Sequence, residues 1–82
     1  MTQAHRMVVI GGGTMGADVA IVFARGGWPV TVVEPGAARR ASLPAYWQAE
    51  LAQTGHAADA AAIGCVESLD DVDWPAVAIV VD

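Results

Sequence analysis

No lysine occurs in the 82 residues, and four arginines face nine acidic side chains, for a net charge of −5. That balance excludes a surface built to hold nucleic acid or an anionic membrane, whose phosphates call for clustered cations. Cysteine is almost as scarce. Cys65 stands alone, so it cannot close an internal disulfide, and it is expected as a small apolar residue near a strand. No apolar run reaches the roughly 20 residues needed to span a bilayer. The start, Met1 to Arg6, is short and polar, and the apolar residues after it are interrupted at once by glycines, unlike a secretory signal. These absences together predict a soluble, cytoplasmic protein. Length is also limited: the chain makes one small domain at most, burying about two thirds of its unfolded surface. Apolar residues nevertheless supply 55% of the sequence, with a mean hydropathy of +0.45. So apolar a small domain is expected to turn part of its surface toward other protein. There is no internal repeat and no disordered linker, although Ala57 to Ala62 is compositionally simple.

What is present is concentrated near the start. Val8 to Glu34 reads V-V-I-G-G-G-T-M-G-A-D-V-A-I-V-F-A-R-G-G-W-P-V-T-V-V-E. This is a strand, a glycine turn, a helix and a second strand closing on an acid, the succession of a dinucleotide-binding βαβ unit. Gly11, Gly13 and Gly16 fill the three glycine positions of G-x-G-x-x-G. The first permits the tight turn, the second lets a pyrophosphate approach the backbone, and the third lets the helix lie close to the sheet. A helix beginning near Thr14 would aim its free N–H groups and positive dipole at those phosphates.

A glycine pattern alone is weak; its surroundings make this one specific. Met7 to Ile10 is continuously apolar, as in a parallel strand covered on both faces. Met15, Val19, Val22 and Phe23 are spaced to form the apolar side of the helix, Arg25 suits its last turn, and Gly26-Gly27 ends it. Val30 to Val33 is a second β-branched run. Glu34, 21 residues beyond Gly13, stands where a carboxylate accepts hydrogen bonds from adenosine ribose hydroxyls.

After Glu34, Pro35-Gly36 predicts a turn and Ala37 to Leu43 one or two helical turns. Pro44 is expected to interrupt any single long helix. The main helix is therefore placed from about Ser42 or Pro44 to Gln53, with Ser42 near the cap, Pro44 in the first turn, and Leu43, Trp47 and Leu51 at i, i+4, i+8. Gly55 ends it. Ile63 to Val66 reads as a third strand, Ser68 as the cap of a brief acidic helical turn at Leu69 to Val72, Trp74-Pro75 as an extended or turn dipeptide, and Val77 to Val81 as a fourth strand. Right-handed crossovers then give an α/β fold, a Rossmann-type doubly wound parallel sheet in the order 3-2-1-4. The glycine turn falls at the crevice between strands 1 and 4. Such sheets usually have six strands, and this sequence closes on a strand that belongs in the middle. Residues 1–82 are therefore expected to be a partial dinucleotide-binding domain.

The segment G-G-G-T-M-G followed by V-A-I-V-F-A-R-G-G-W-P-V-T-V-V-E resembles the amino-terminal part of the 3-hydroxyacyl-CoA dehydrogenases. Their pattern runs G-x-G-x-M-G, a helix with Phe-Ala near its end, a glycine, and a strand closing on an acid. Gly11, Gly13, Met15, Gly16, Phe23, Ala24, Gly27, Val30 and Glu34 match it. The stretch V-E-S-L-D-D-V-D-W-P-A-V-A-I-V-V-D looks like the family's third strand, short helix and fourth strand, with Asp82 in the closing acidic place. Two departures stand out: Glu34 replaces a commoner Asp, and Pro44 falls where the family has a long helix. The resemblance implies NAD as cofactor, held by Gly11, Gly13, Thr14, Met15, Gly16 and Glu34. It further implies oxidation of a 3-hydroxyacyl-CoA to the 3-ketoacyl form, in fatty acid metabolism. The family's catalytic histidine and its paired glutamate lie well after the fourth strand, as does a helical carboxyl-terminal domain with most substrate and dimer contacts. The complete protein is then expected to be a homodimer and the 82 residues alone inactive.

Other candidates carry less chemistry. His5 precedes the first strand, away from the glycine turn, and His56 follows Gly55 in a loop, so both read as solvated surface residues. Asp70, Asp71 and Asp73 lack a Gly-bearing calcium loop or a nearby histidine and read as a solvated acidic turn, and no metal is expected. Trp28, Trp47 and Trp74 read as packing residues. Arg39 and Arg40 could contact an NADP 2′-phosphate, but the Glu34 carboxylate would repel that group. NAD is favoured, and the arginines read as a solvated rim or neighbours of the adenine. Flavoprotein oxidoreductases, an alternative class, share the glycine turn and the Glu, but typically carry Pro-Ala or Ser-Ala where Thr14-Met15 stands. Short-acid and 6-phosphogluconate-type dehydrogenases share G-x-G-x-M-G. A non-catalytic dinucleotide-binding module is a third alternative.

Overall fold

The structure, a computed structural model, describes residues 6–11, 13–72 and 74–81, and of residues 14, 76 and 78 the backbone alone. His5, Asp73 and Asp82 lie outside the described residues. Four strands, β1 (Arg6–Ile10), β2 (Val30–Val33), β3 (Ile63–Val66) and β4 (Val77–Val81), form one sheet in the order β3-β2-β1-β4. All three pairings are parallel, as the crossover rule predicts from sequence. Helix α1 (Thr14–Arg25) joins β1 to β2. Helix α2 (Ala37–Gln53) and a 3₁₀ segment, Ala57–Ala62, join β2 to β3, and two 3₁₀ turns, Leu69–Asp71 and Trp74–Ala76, lead on to β4.

Crossovers that step the same way across the sheet put α1 and α2 on one face, and the return from β3 to β4 falls on the other. Side-chain alternation follows suit. Met7, Val9, Val30, Val32 and Ile63 pack with α1 and α2, whereas Val8 and Val33 join Val72 on the opposite face. The thinnest dimension is 17 Å, room for a sheet and one layer of helices about 10 Å in diameter. Among the described residues the second face is therefore covered by 3₁₀ turns, and Val80, Leu69 and Trp74 stay exposed. This is where part of the apolar surplus in the composition resides.

The buried side of α1 differs from the expected one. Ala17, Ala20 and Ala24 face the core, while Met15 and Val22 are 81% and 62% exposed and Val19 and Phe23 are only partly buried. Size decides this. A stripe of methyl groups lets α1 lie closer to the sheet than valine or methionine would. That closeness brings the Ala17 carbonyl within 3.1 Å of the Trp47 indole Nε1, which donates to it. The Tyr46 hydroxyl donates to Asp18 Oδ1, which ties α2 to α1 a second time and raises the phenol pKa above its ordinary value.

Helix α2 is also a correction. It runs unbroken from Ala37 to Gln53 with Pro44 inside, instead of starting near Ser42. Ser42 is interior, and its hydroxyl donates to the Arg39 carbonyl at 2.8 Å. A proline there costs about 3 kcal/mol. Leu43, Trp47 and Leu51 are all essentially fully buried along one stripe, each worth about 1.5–3 kcal/mol, a stripe that a helix from Ser42 would also keep. The turns before Pro44, whose own side chain is exposed, are held by Arg40, whose N–H donates to the Gly36 carbonyl and whose guanidinium donates to the Glu34 and Pro35 carbonyls. The Trp74-Pro75 pair takes the turn form of the two expected, within the 3₁₀ segment Trp74–Ala76; the Trp74 indole donates to the Leu69 carbonyl at 3.0 Å and folds the segment back. Replacing Pro44 by Ala restores a backbone donor inside α2 and is expected to stabilise the fold by about 1–3 kcal/mol. Urea unfolding would show it as a higher midpoint at unchanged slope.

Candidate functional site

The site is assembled where β1 and β2 end. The parallel ladders extend one residue past each strand: Gly11 N–H donates to the Val33 carbonyl and Glu34 N–H to the Val66 carbonyl, both at 2.8 Å. The glycine turn and the acid are thus fixed side by side at the carboxyl edge of the sheet. Gly11 has φ of +97°, a left-handed conformation that side chains with a Cβ avoid. A methyl group on Gly16 would overlap the Gly11 carbonyl oxygen and come within 3.3 Å of Val9 Cγ1, so α1 can begin against the turn only with glycine there. Gly13 is different: nothing lies within 4 Å of the position its Cβ would take. The fold leaves that space open.

Beside the turn, between the ends of β1 and β4, is a cavity of about 400 Å³ lined by residues that include Ile10, Gly11, Gly13, Met15, Gly16 and Val81. This is the crevice the strand order predicts. Gly13 is the N-cap of α1; it offers no side-chain oxygen, and the first turn holds no acid. The opening N–H groups and the positive end of the helix dipole therefore suit an anion such as a pyrophosphate. Thr14 takes the first helical position, with its side chain outside the described atoms. Met15, largely exposed, forms one apolar wall of the cavity. Five of the six residues expected to hold cofactor thus gather around one glycine turn.

Glu34, the sixth, lies half-buried at the end of β2. Its Oε2 accepts the Gly36 N–H at 2.8 Å. Arg40, expected as a rim or adenine neighbour, instead sends Nη1 to the Glu34 carbonyl at 2.9 Å and the Pro35 carbonyl at 3.3 Å. Sequence reasoning places Gly36 in a turn and Arg40 on a rim, but does not supply the bonds by which they engage Glu34 and Pro35. A usable signal was the acid-x-Gly spacing, in which a side-chain oxygen can accept the N–H two residues on. Cys65 on β3 packs against the main core, and burial raises its thiol pKa, offset in part by Arg40 and reinforced by Glu34.

The remaining candidates fall elsewhere. His56 precedes the 3₁₀ segment at the opposite, amino-terminal end of β3, and its Nδ1 lies 3.1 Å from Asp59 Oδ2. Asp70 and Asp71 are exposed in a 3₁₀ turn capped by Ser68, whose hydroxyl accepts the Asp70 N–H at 3.0 Å. Trp28 meets Phe23 edge to face at 6.2 Å, a packing contact. Among the described residues, no group of three or more His, Cys, Asp or Glu could hold a metal ion, and no helix is long and apolar enough to cross a membrane.

Since Gly13 has open space and Gly16 has none, their substitutions separate ligand from fold. Gly13→Val is expected to leave the circular dichroism spectrum and unfolding midpoint near wild type while abolishing dinucleotide binding in a calorimetric titration. Gly16→Ala is expected to cost about 1–3 kcal/mol of stability or more, the scale for overpacking, and to be visible in unfolding without any ligand.

Comparison with known proteins agrees with this geometry. Residues 6–73 match the family profile described as 3-hydroxyacyl-CoA dehydrogenase, NAD binding domain. No curated protein sequence matches the chain. Among solved structures, FadB2 of M. tuberculosis is similar at 26% identity and a TM-score of 0.69, over 85% of this chain and 28% of its own. (S)-3-hydroxybutyryl-CoA dehydrogenase PaaH1 from Ralstonia eutropha is similar at 25% identity and a TM-score of 0.72, over 88% of this chain and 29% of its own. The chain spans less than a third of the length of either structure. The matched profile is NAD-binding, so the flavin alternative is set aside. The chain belongs to the 3-hydroxyacyl-CoA dehydrogenase family and corresponds to its NAD-binding domain.

Proposed function

We propose that these 82 residues are the cofactor-binding portion of an NAD-dependent 3-hydroxyacyl-CoA dehydrogenase of fatty acid metabolism, acting in the cytoplasm as a homodimer. The observation that carries the proposal is the pairing of a glycine turn over an open cleft with a carboxylate one strand away, both locked by main-chain bonds. NAD, when bound, supplies a hydride acceptor for the carbon bearing the substrate hydroxyl. The work of this chain is to hold that acceptor. Gly11 and Gly16 shape the turn, Gly13 leaves room for phosphates to approach the N–H groups of α1, Met15 shields one side of the cleft, and Glu34 accepts from ribose hydroxyls. None of these groups is a base placed to take the hydroxyl proton. That role, and the binding of the acyl-CoA, we assign to a region beyond these 82 residues. PaaH1, similar in structure over 88% of this chain, is named for a short 3-hydroxyacyl thioester, which makes 3-hydroxybutyryl-CoA the first substrate to try.

Two measurements test the proposal. The complete protein is expected to reduce NAD with 3-hydroxybutyryl-CoA, followed by nicotinamide absorbance; reduction with small hydroxy acids but no acyl-CoA would overturn the substrate class. The 82-residue chain is expected to bind NAD without turnover. Glu34→Ala is expected to weaken that binding by about 1–3 kcal/mol, the scale of a charge-assisted hydrogen bond, and an unchanged affinity would show that the carboxylate does not meet the ribose.

A further inference from the structure

We propose that Gly36 and Arg40 set the adenosine-ribose specificity of this chain by fixing the Glu34 carboxylate as a hydroxyl acceptor at the end of β2, an inference that rests on the NAD-binding role described above. Neither residue needs to touch the cofactor. Both are positioning residues.

Gly36 has φ of −74° and ψ of 116°, extended backbone open to any residue, so conformation does not explain a glycine here. Clearance does. A Cβ at this position would lie 2.9 Å from Glu34 Oε2, closer than carbon and oxygen tolerate. The same oxygen accepts the Gly36 N–H at 2.8 Å. A long, flexible side chain is thereby brought back over its own turn, against the amino-terminal end of α2, where the helix dipole favours a negative charge. That end of the helix is also what would attract a 2′-phosphate. Glu34 places an anion there first, so exclusion of the phosphorylated dinucleotide comes from occupancy of the position as well as from repulsion.

Arg40 holds the other half. Its backbone N–H donates to the Gly36 carbonyl at 2.8 Å, within α2, while its guanidinium reaches back to the Glu34 and Pro35 carbonyls. One residue thus joins the strand end, the turn and the first helical turn. A guanidinium directed at main-chain carbonyls serves to fix the turn that aims the carboxylate.

The test uses the ratio of two affinities. Wild type, Gly36→Ala and Arg40→Met are titrated calorimetrically with NAD, with NADP and with an NAD analogue lacking the 2′-hydroxyl of the adenosine ribose. Wild type is expected to prefer NAD over both. A methyl at position 36 displaces only the flexible end of Glu34, so Gly36→Ala is expected to keep its unfolding midpoint. Its NAD affinity is expected to fall by about 3- to 10-fold, on the scale of one hydrogen bond, with little change for the 2′-deoxy analogue. Arg40→Met is expected to narrow the same ratio, and Gly36→Ala decides the matter if that variant unfolds. Variants that bind NAD with the wild-type ratio would overturn the inference and leave the NAD-binding role standing. A wild-type chain that binds no NAD would overturn both.

Discussion

The contact on which the structure depends is the one between Gly16 and the Gly11 carbonyl, where there is no room for a single extra carbon. It forces α1 to begin directly on the turn that ends β1. The axis of the helix is then set by backbone against backbone, and its core-facing side must be equally small, which Ala17, Ala20 and Ala24 provide. A helix lying that deep presents its Ala17 carbonyl to the Trp47 indole. The largest fully buried side chain among the described residues, Trp47, is thus anchored in α2 by a polar atom of α1. With Trp47 placed, Leu43 and Leu51 follow one turn to either side and are buried with it. The packing of α2 on the sheet and the glycine in the turn are thus linked through the same close approach.

A second property of the site follows from its construction out of main chain. The N–H groups at the start of α1, the Gly11–Val33 and Glu34–Val66 bonds and the parallel ladders depend on register far more than on side-chain identity. This gives a physical account of how relatives at 25–26% identity keep TM-scores near 0.7. Substitution is free wherever the backbone path is kept. It is restricted at the few positions where a Cβ would collide or where φ is positive.

That division also explains what was legible in the sequence. The positions of Gly11, Gly13 and Gly16, the short, mainly apolar runs of the four strands and the acid at Glu34 were readable, because each is fixed by a local steric or periodic rule. The strand order followed from right-handed crossovers combined with the dinucleotide-binding βαβ pattern. The buried side of α1 was not readable, since periodicity ranks Met15 and Val22 above alanine on hydrophobicity whereas the packing selected for size. Nor was the continuity of α2: the segment before Pro44 is held in helix by bonds of Arg40 back to Gly36, Glu34 and Pro35, which a local rule against interior proline does not see. The bonds from Arg40 to Glu34 and Pro35 escaped for another reason. Charge suggests a partner of opposite sign, but a guanidinium is equally satisfied by uncharged carbonyls six and five residues back.

The two turns of the site consequently differ in kind. In the glycine turn, fold and ligand make overlapping demands: Gly11 and Gly16 are required before any cofactor arrives, and only Gly13 is left to the cofactor. In the acid turn, from Glu34 to Arg40, the fold asks little of the residues that aim the carboxylate. Gly36 has ordinary dihedrals, and the atom it would crowd is the mobile end of a side chain. Affinity for the diphosphate is therefore tied to stability at Gly11 and Gly16 and separable from it only at Gly13, whereas selectivity at the ribose sits on a few residues that can change without disturbing the sheet. A chain built in this way can shift its cofactor preference through the second turn while the first keeps the dinucleotide in the same crevice.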